Sequence, residues 1–289
     1  MDERPFELEL ADVPPLTGDG PTRLHGVVHT ASTPGPRPTV VICHGFKGFS
    51  SWGFFPPLAH LLAARGFTAI RFDFSGTGMR PGDDLVSDVD AFRRNTFSRE
   101  RDELLALLER LDEIAPGIVD GRRLGLVGHS RGGAAVLLAA ASEAWRQRLG
   151  AVVTWNAIGS FEGYLLHAET WRRDGVLPTE NGRTGQRLEL GVELLDDLEH
   201  HAAALDLEAA AARRRAPWLI VHGDADETVP LEQARRLHAA AGGEESDGVA
   251  LEIIAGGSHT FGARHPFAGP TRELTAAMNA TQVWLRRHL

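Results

Sequence analysis

Short apolar or β-branched runs alternate with helical patterns along most of the chain, and this rhythm constrains the fold more than any other feature. It is the signature of a parallel sheet whose strands are joined by crossover helices. Residues 39–43 (TVVIC) form an unbroken apolar run, as a strand buried on both faces requires. Further strands are expected at residues 67–73, 124–127, 149–155, 218–222 and 249–254. Residues 6–10 and 24–30 read as two opening strands, and the turn-rich stretch 14–22 between them suggests an antiparallel hairpin. Helices are expected at 55–65, 133–144, 231–241 and 271–289, the first closed by Gly66. Ser98 reads as the start of another, with Glu100, Asp102 and Glu103 opposing the helix dipole. Its Leu104, Leu107, Leu108 and Leu111 recur at helical spacing. A long loop is expected at 74–97.

The rhythm breaks between residues 156 and 215. Phe161, Tyr164, Leu165, Ala168 and Trp171 fall on one helical face, while residues 188–198 mix two periods and fit neither element. Such a break inside a regular α/β chain reads as a cap insertion. The expected organisation is therefore a core built from residues 1–155 and 216–289, with the cap at 156–215. Trp155, Tyr164, Leu165 and Trp171 are candidate walls of a substrate pocket beneath it.

Composition removes several classes. The formal net charge is −9, which argues against nucleic-acid binding and against docking on an anionic membrane. No apolar run approaches the ~18 residues of a membrane span, and no apolar signal core follows the acidic N-terminus, so membrane insertion is not expected. A single cysteine, Cys43, cannot form an internal disulfide, and the expected compartment is the cytoplasm. A homo-oligomer is compatible with the sequence but cannot be read from it.

The sharpest chemical signal is Gly128-His129-Ser130-Arg131-Gly132, set between the apolar run LGLV and an Ala/Leu-rich helix. This is the strand–turn–helix setting that the G-x-S-x-G motif requires, and it makes Ser130 the candidate nucleophile. A serine hydroxyl needs a base, and the base needs an orienting acid. Two late strands end in suitable loops, residues 222–230 (HGDADETVP) and residues 256–261 (GGSHTF). Both leave the carboxyl edge of the sheet, where open α/β sheets place ligands. An adjacent pair, His200-His201, has neither the geometry nor the acidic spacing of a metal site. No metal or organic cofactor is expected.

With these motifs the chain resembles the α/β-hydrolase fold over nearly its whole length. It is similar to the dienelactone-hydrolase-like and cinnamoyl (feruloyl) esterase-like branches. The resemblance implies a mostly parallel twisted sheet with helices on both faces and a small cap. The family pattern H-G-x-x-D-x-x-V-P points to Asp226 as the acid, with Asp224 as its rival, and G-x-H-x-F points to His259 as the base. The run Cys43-His44-Gly45-Phe46 resembles the family's H-G-F oxyanion loop. Backbone N–H groups of Phe46 and Arg131 would then form the oxyanion hole, with His44 a structural partner beneath the loop. Asp73, in a D-x-x-G-x-G turn, would be structural. The implied activity is hydrolysis of small acyl or aryl esters through an acyl-enzyme. The same triad serves peptidases, thioesterases, acyltransferases and perhydrolases, and a non-catalytic ligand-binding relative is the remaining class. Lys47, the only lysine in the chain, follows the oxyanion loop and is a candidate for favouring substrates that carry a carboxylate or another acceptor.

Overall fold

The computed structural model describes residues 1–18, 20–33 and 35–289. Two opening strands, β1 (Asp2–Leu10) and β2 (Thr22–Thr30), pair antiparallel as their spacing suggested, and Asp19 in the connection between them lies outside the described residues. The chain continues through β3 (Arg37–Cys43), α1 (Phe55–Ala64), β4 (Thr68–Asp73), α2 (Val89–Arg94), α3 (Phe97–Glu109), α4 (Leu111–Ile114), β5 (Val119–His129) and α5 (Arg131–Ala141). After β6 (Leu149–Trp155) come α6 (Glu162–Leu165), α7 (Ala168–Asp174), β7 (Val176–Asn181), β8 (Gln186–Gly191), α8 (Val192–His200) and α9 (Leu207–Arg213). The chain closes with β9 (Trp218–Gly223), α10 (Leu231–Ala240), β10 (Val249–Ile254) and α11 (Arg272–His288).

Eight strands form one sheet in the order β1-β2-β4-β3-β5-β6-β9-β10. From β4 to β10 every neighbouring pair is parallel, while β2 runs antiparallel to both its neighbours. Side chains alternate across a strand, so β3 feeds two cores at once. Val40 and Ile42 join one apolar cluster with Leu58 and Leu62 of α1 and Leu274 and Leu285 of α11. Val41 and Cys43 join the other, with Leu104 and Leu107 of α3 and Val136 and Leu137 of α5. Both faces of the sheet are therefore covered by helices, which is why these strands carry little polar alternation.

Several boundaries differ from the sequence expectation. Helix α3 begins at Phe97, and its cap is Thr96, whose hydroxyl accepts from Arg99 N–H; Ser98 N–H instead donates to Asp197 of α8 at 3.0 Å. The loop expected over 74–97 holds the six-residue α2, capped by Asp88. Helix α5 starts at Arg131, directly after Ser130, and not at Gly133. The mixed period of residues 188–198 has a simple cause, since β8 ends at Gly191 and α8 begins at Val192. Leu188 and Leu190 are buried at strand spacing, then Leu194, Leu195 and Leu198 at helical spacing. Strands β7 and β8 form a separate two-stranded hairpin. Helix α9 returns to pack against α5 and α10.

Candidate active site

Ser130 occupies the tight turn between β5 and α5 with φ 54° and ψ −120°, a conformation that L-residues rarely adopt. The turn is possible because its neighbours lack side chains. A Cβ on Gly132 would fall 2.3 Å from the carbonyl oxygen of His44, so α5 could not then start so close to the loop after β3. A Cβ on Gly45 would sit 2.9 Å from Ser130 Cβ, which shows how closely that loop lies against the serine.

The three side chains singled out in the sequence meet at the carboxyl edge of the sheet. Ser130 Oγ is 3.0 Å from His259 Nε2, and His259 Nδ1 is 2.8 Å from Asp226 Oδ2. A carboxylate only accepts, so Nδ1 carries the proton and Nε2 presents its lone pair to the serine hydroxyl. Burial alone would raise the Asp226 pKa. Hydrogen bonds from His259 and from the N–H groups of Val229 and Thr228 overcome it and hold the carboxyl below its ordinary value. The rival acid, Asp224, is turned away and accepts from Gly256 N–H at 2.7 Å.

The loop after β3 is held from beneath. Phe74 N–H donates to His44 Nε2 at 3.2 Å, so Nδ1 is the protonated nitrogen and donates to the Gly45 carbonyl at 2.9 Å. Asp73 accepts from both the N–H and the hydroxyl of Ser50, pinning the far end of the same loop. Sequence reasoning missed two further supports. Burial pushes His129 down to about 3, so the ring is neutral, and its Nε2–H donates to the His259 carbonyl at 2.8 Å. Asn156, fully buried just after β6, donates from Nδ2 to the carbonyls of His259 (2.8 Å) and Ser258 (3.1 Å) and accepts from Gly223 N–H (2.8 Å). It thus clamps the loop of the base to the strand that leads to the acid. The only hint in the sequence is an Asn at a strand's carboxyl end; its partners are far away in the chain.

A cavity of about 710 Å³ opens over Ser130 and His259, bounded by the loop after β3, by α6 and by the β7–β8 hairpin. Lys47 and Tyr164 line it, as do Leu177 and Arg183 of the hairpin region, which the sequence did not single out. Three expected wall residues lie elsewhere. Trp155 falls on the same strand face as Ala151 and Val153, so it points to the α1/α11 side, and its Nε1 donates to Thr281. Trp171 is sealed inside the insertion, with Nε1 donating to the Leu190 carbonyl at 3.0 Å. Leu165 is exposed on a different groove with Leu198 and Leu205, because the supposed single helix breaks between α6 and α7.

The His200-His201 pair does not resemble a metal site; His201 Nδ1 pairs with Asp197 of its own helix. Among the described residues one group brings three ligand-type side chains together, Glu3, His29 and His60. Arg71 Nε–H donates to His29 Nε2, which leaves the proton on Nδ1, the atom that would have to ligate. His29, fully buried, therefore offers the group no free lone pair.

The model of the "Alpha/beta hydrolase family" matches residues 40–272. The chain belongs to that family. A relative from Bacillus subtilis (strain 168), named "Putative esterase YitV", is 26% identical over 202 residues, covering 70% of this chain and 73% of the relative. Among solved structures, Est1E from Butyrivibrio proteoclasticus superposes on this α/β hydrolase with a TM-score of 0.62 at 19% identity, over 92% of this chain and 95% of that one. The esterase domain of a Rhodothermus marinus protein superposes with a TM-score of 0.65 at 20% identity, over 100% and 99% of the two chains. No helix among the described residues is long and apolar enough to cross a membrane.

Proposed function

We propose that the protein is a serine ester hydrolase that cleaves small acyl or aryl esters through a Ser130–His259–Asp226 triad. The observation that carries this reading is the unbroken hydrogen-bond chain from carboxylate to imidazole to hydroxyl at the floor of the cavity. The cavity volume lies within the range usual for small-molecule sites, about 300–1,000 Å³. The names of the B. subtilis relative and of the esterase structures, one of them Est1E with ferulic acid bound, point the same way.

In this mechanism His259 Nε2 takes the Ser130 proton as Oγ attacks the acyl carbon. Asp226 stabilises the imidazolium and keeps its orientation. The N–H groups of Phe46 and Arg131 receive the developing oxyanion, each worth on the order of 3 kcal/mol in the transition state. His259 then protonates the leaving alcohol, and water, activated by the same imidazole, releases the acid from the acyl-enzyme. Residues 156–215 act as the cap, the β7–β8 hairpin within them shielding the bound ester from bulk water.

A fluorophosphonate probe and a chain-length series of aryl esters, cinnamates included, test the reading. The wild type should be labelled and should turn over short esters, and Ser130→Ala should do neither. An unlabelled wild type would mark a ligand-binding relative that does not activate its serine.

A further inference from the structure

The chain carries an excess of acid, yet its candidate active-site cavity has the opposite sign. Three cationic side chains line it, Lys47, Arg131 and Arg183, and among the described residues no Asp or Glu does. The deepest, Arg131, is already balanced, since its Nε donates to the buried carboxylate of Glu100 at 2.7 Å. Lys47 and Arg183 are not. Neither comes within ion-pair distance of a carboxylate among the described residues. The acids closest in influence are Glu180 for Lys47 and Asp84 for Arg183, and Asp84 is engaged by His265 at 3.0 Å.

Lys47 is partly buried, and Arg183 stands exposed at the mouth of the cavity. Burial lowers the pKa of each, with its neighbouring acid opposing the shift only in part. For the partly buried Lys47 such desolvation is unfavourable unless an opposite charge arrives, while water screens most of it at the exposed Arg183. The contacts that hold the two in place do not neutralise them. Lys47 lies 4.8 Å over the Phe46 ring and donates to the Glu180 carbonyl at 2.6 Å. Arg183 lies 5.4 Å from the Phe49 ring and 6.0 Å from Trp52. Aromatic faces and a carbonyl orient a cation and leave its charge available to a ligand. Glu180 and Arg183 belong to one hairpin, so Lys47 on the core and Arg183 on the insertion meet at the same rim.

We infer that Lys47 and Arg183 form an anion-binding rim, and that the preferred substrate is a small ester bearing a negatively charged substituent such as a carboxylate. This rests on the ester-hydrolase reading and names the substrate class of that site. The anion supplies the counter-charge that the chain withholds, and the ester carbonyl is left at Ser130.

Two matched pairs test it. Monophenyl adipate against the phenyl ester of adipamic acid places the charge on the acyl side. Para-carboxyphenyl butyrate against para-carbamoylphenyl butyrate places it on the alcohol side. In at least one pair kcat/KM should favour the acid by about tenfold at low ionic strength, and about 0.5 M NaCl should shrink that advantage. The acid-to-amide ratio, not either rate alone, should fall at least threefold in both Lys47→Gln and Arg183→Gln. Ratios within twofold of one in both pairs, or an unchanged ratio in either variant, overturn the inference. Calorimetric binding of each acid and amide to Ser130→Ala gives a readout free of turnover. If the wild type hydrolyses no ester, the functional reading fails, while the binding preference still decides on the anion rim.

Discussion

Asn156 offers the strictest test of how the site is held together. Its φ of 45° suits Asn or Gly, so Asn156→Gly removes the side chain without imposing backbone strain on a new Cβ. Gly223 N–H and the Ser258 carbonyl lose a buried partner, while the His259 carbonyl keeps its bond from His129. An orphaned buried polar group costs about 1–3 kcal/mol, so the unfolding free energy should fall by about 2–4 kcal/mol in urea. The larger consequence is geometric. With the clamp gone, the His259 carbonyl is held by His129 alone, and a misplacement near 1 Å can cost on the order of 10²-fold in rate. The kcat for para-nitrophenyl butyrate and the rate of fluorophosphonate labelling should therefore drop by roughly 10- to 100-fold, with KM little changed because Asn156 does not line the cavity. Asn156→Asp keeps the acceptor for Gly223 but turns a second acceptor toward two carbonyl oxygens, so it should not restore the rate. If Asn156→Gly is destabilised as expected yet keeps kcat and labelling within twofold, the positioning argument is wrong and the residue is only structural.

Two other substitutions probe the oxyanion loop and a buried histidine. Gly45→Ala places a methyl 2.9 Å from Ser130 Cβ and 3.1 Å from the His129 carbonyl, so the loop carrying Phe46 N–H must move. Steady-state kinetics should show kcat reduced on the order of 10²-fold, the size of a lost oxyanion donor, and a wild-type kcat would place that donor elsewhere. His29 is buried against Arg71, and burial first, then that charge, lowers its pKa to about 4. The folded state thus refuses a proton that the unfolded chain accepts, and stability present above pH 6.5 is lost as pH falls toward 4. His29→Gln should lower the slope of unfolding free energy against pH in that window by about 1.4 kcal/mol per pH unit; an unchanged slope would show that His29 titrates normally.

Local pattern was sufficient wherever a property depends on near neighbours in the chain. Continuous apolar runs mark strands covered on both faces, and residues 149–155 coincide with β6; residues 249–254, interrupted by Glu252, coincide with the half-exposed edge strand β10. The turn at Ser130 was legible because glycines must flank a serine that stands so close to the loop after β3. Loops after late strands pointed to the region of the acid and base, the resemblance to the family pattern pointed to Asp226 over Asp224 and to His259, and the folded sheet adds their hydrogen-bond chain to Ser130. The short α2 escaped, because six residues hold too little periodicity to stand out from a charged loop, and α6 and α7 were read as one helical face although the chain breaks between them. The pocket walls escaped for a deeper reason. Whether Trp155 faces the cavity or the far side of the sheet depends on strand phase and on the elements packed there, and aromatic content carries no sign of either. The clamp of Asn156 and the meeting of Lys47 with the hairpin join residues about a hundred or more positions apart. Such contacts are made only when strands far apart in sequence become neighbours in the sheet, so their energies have no local signature for a sequence to display.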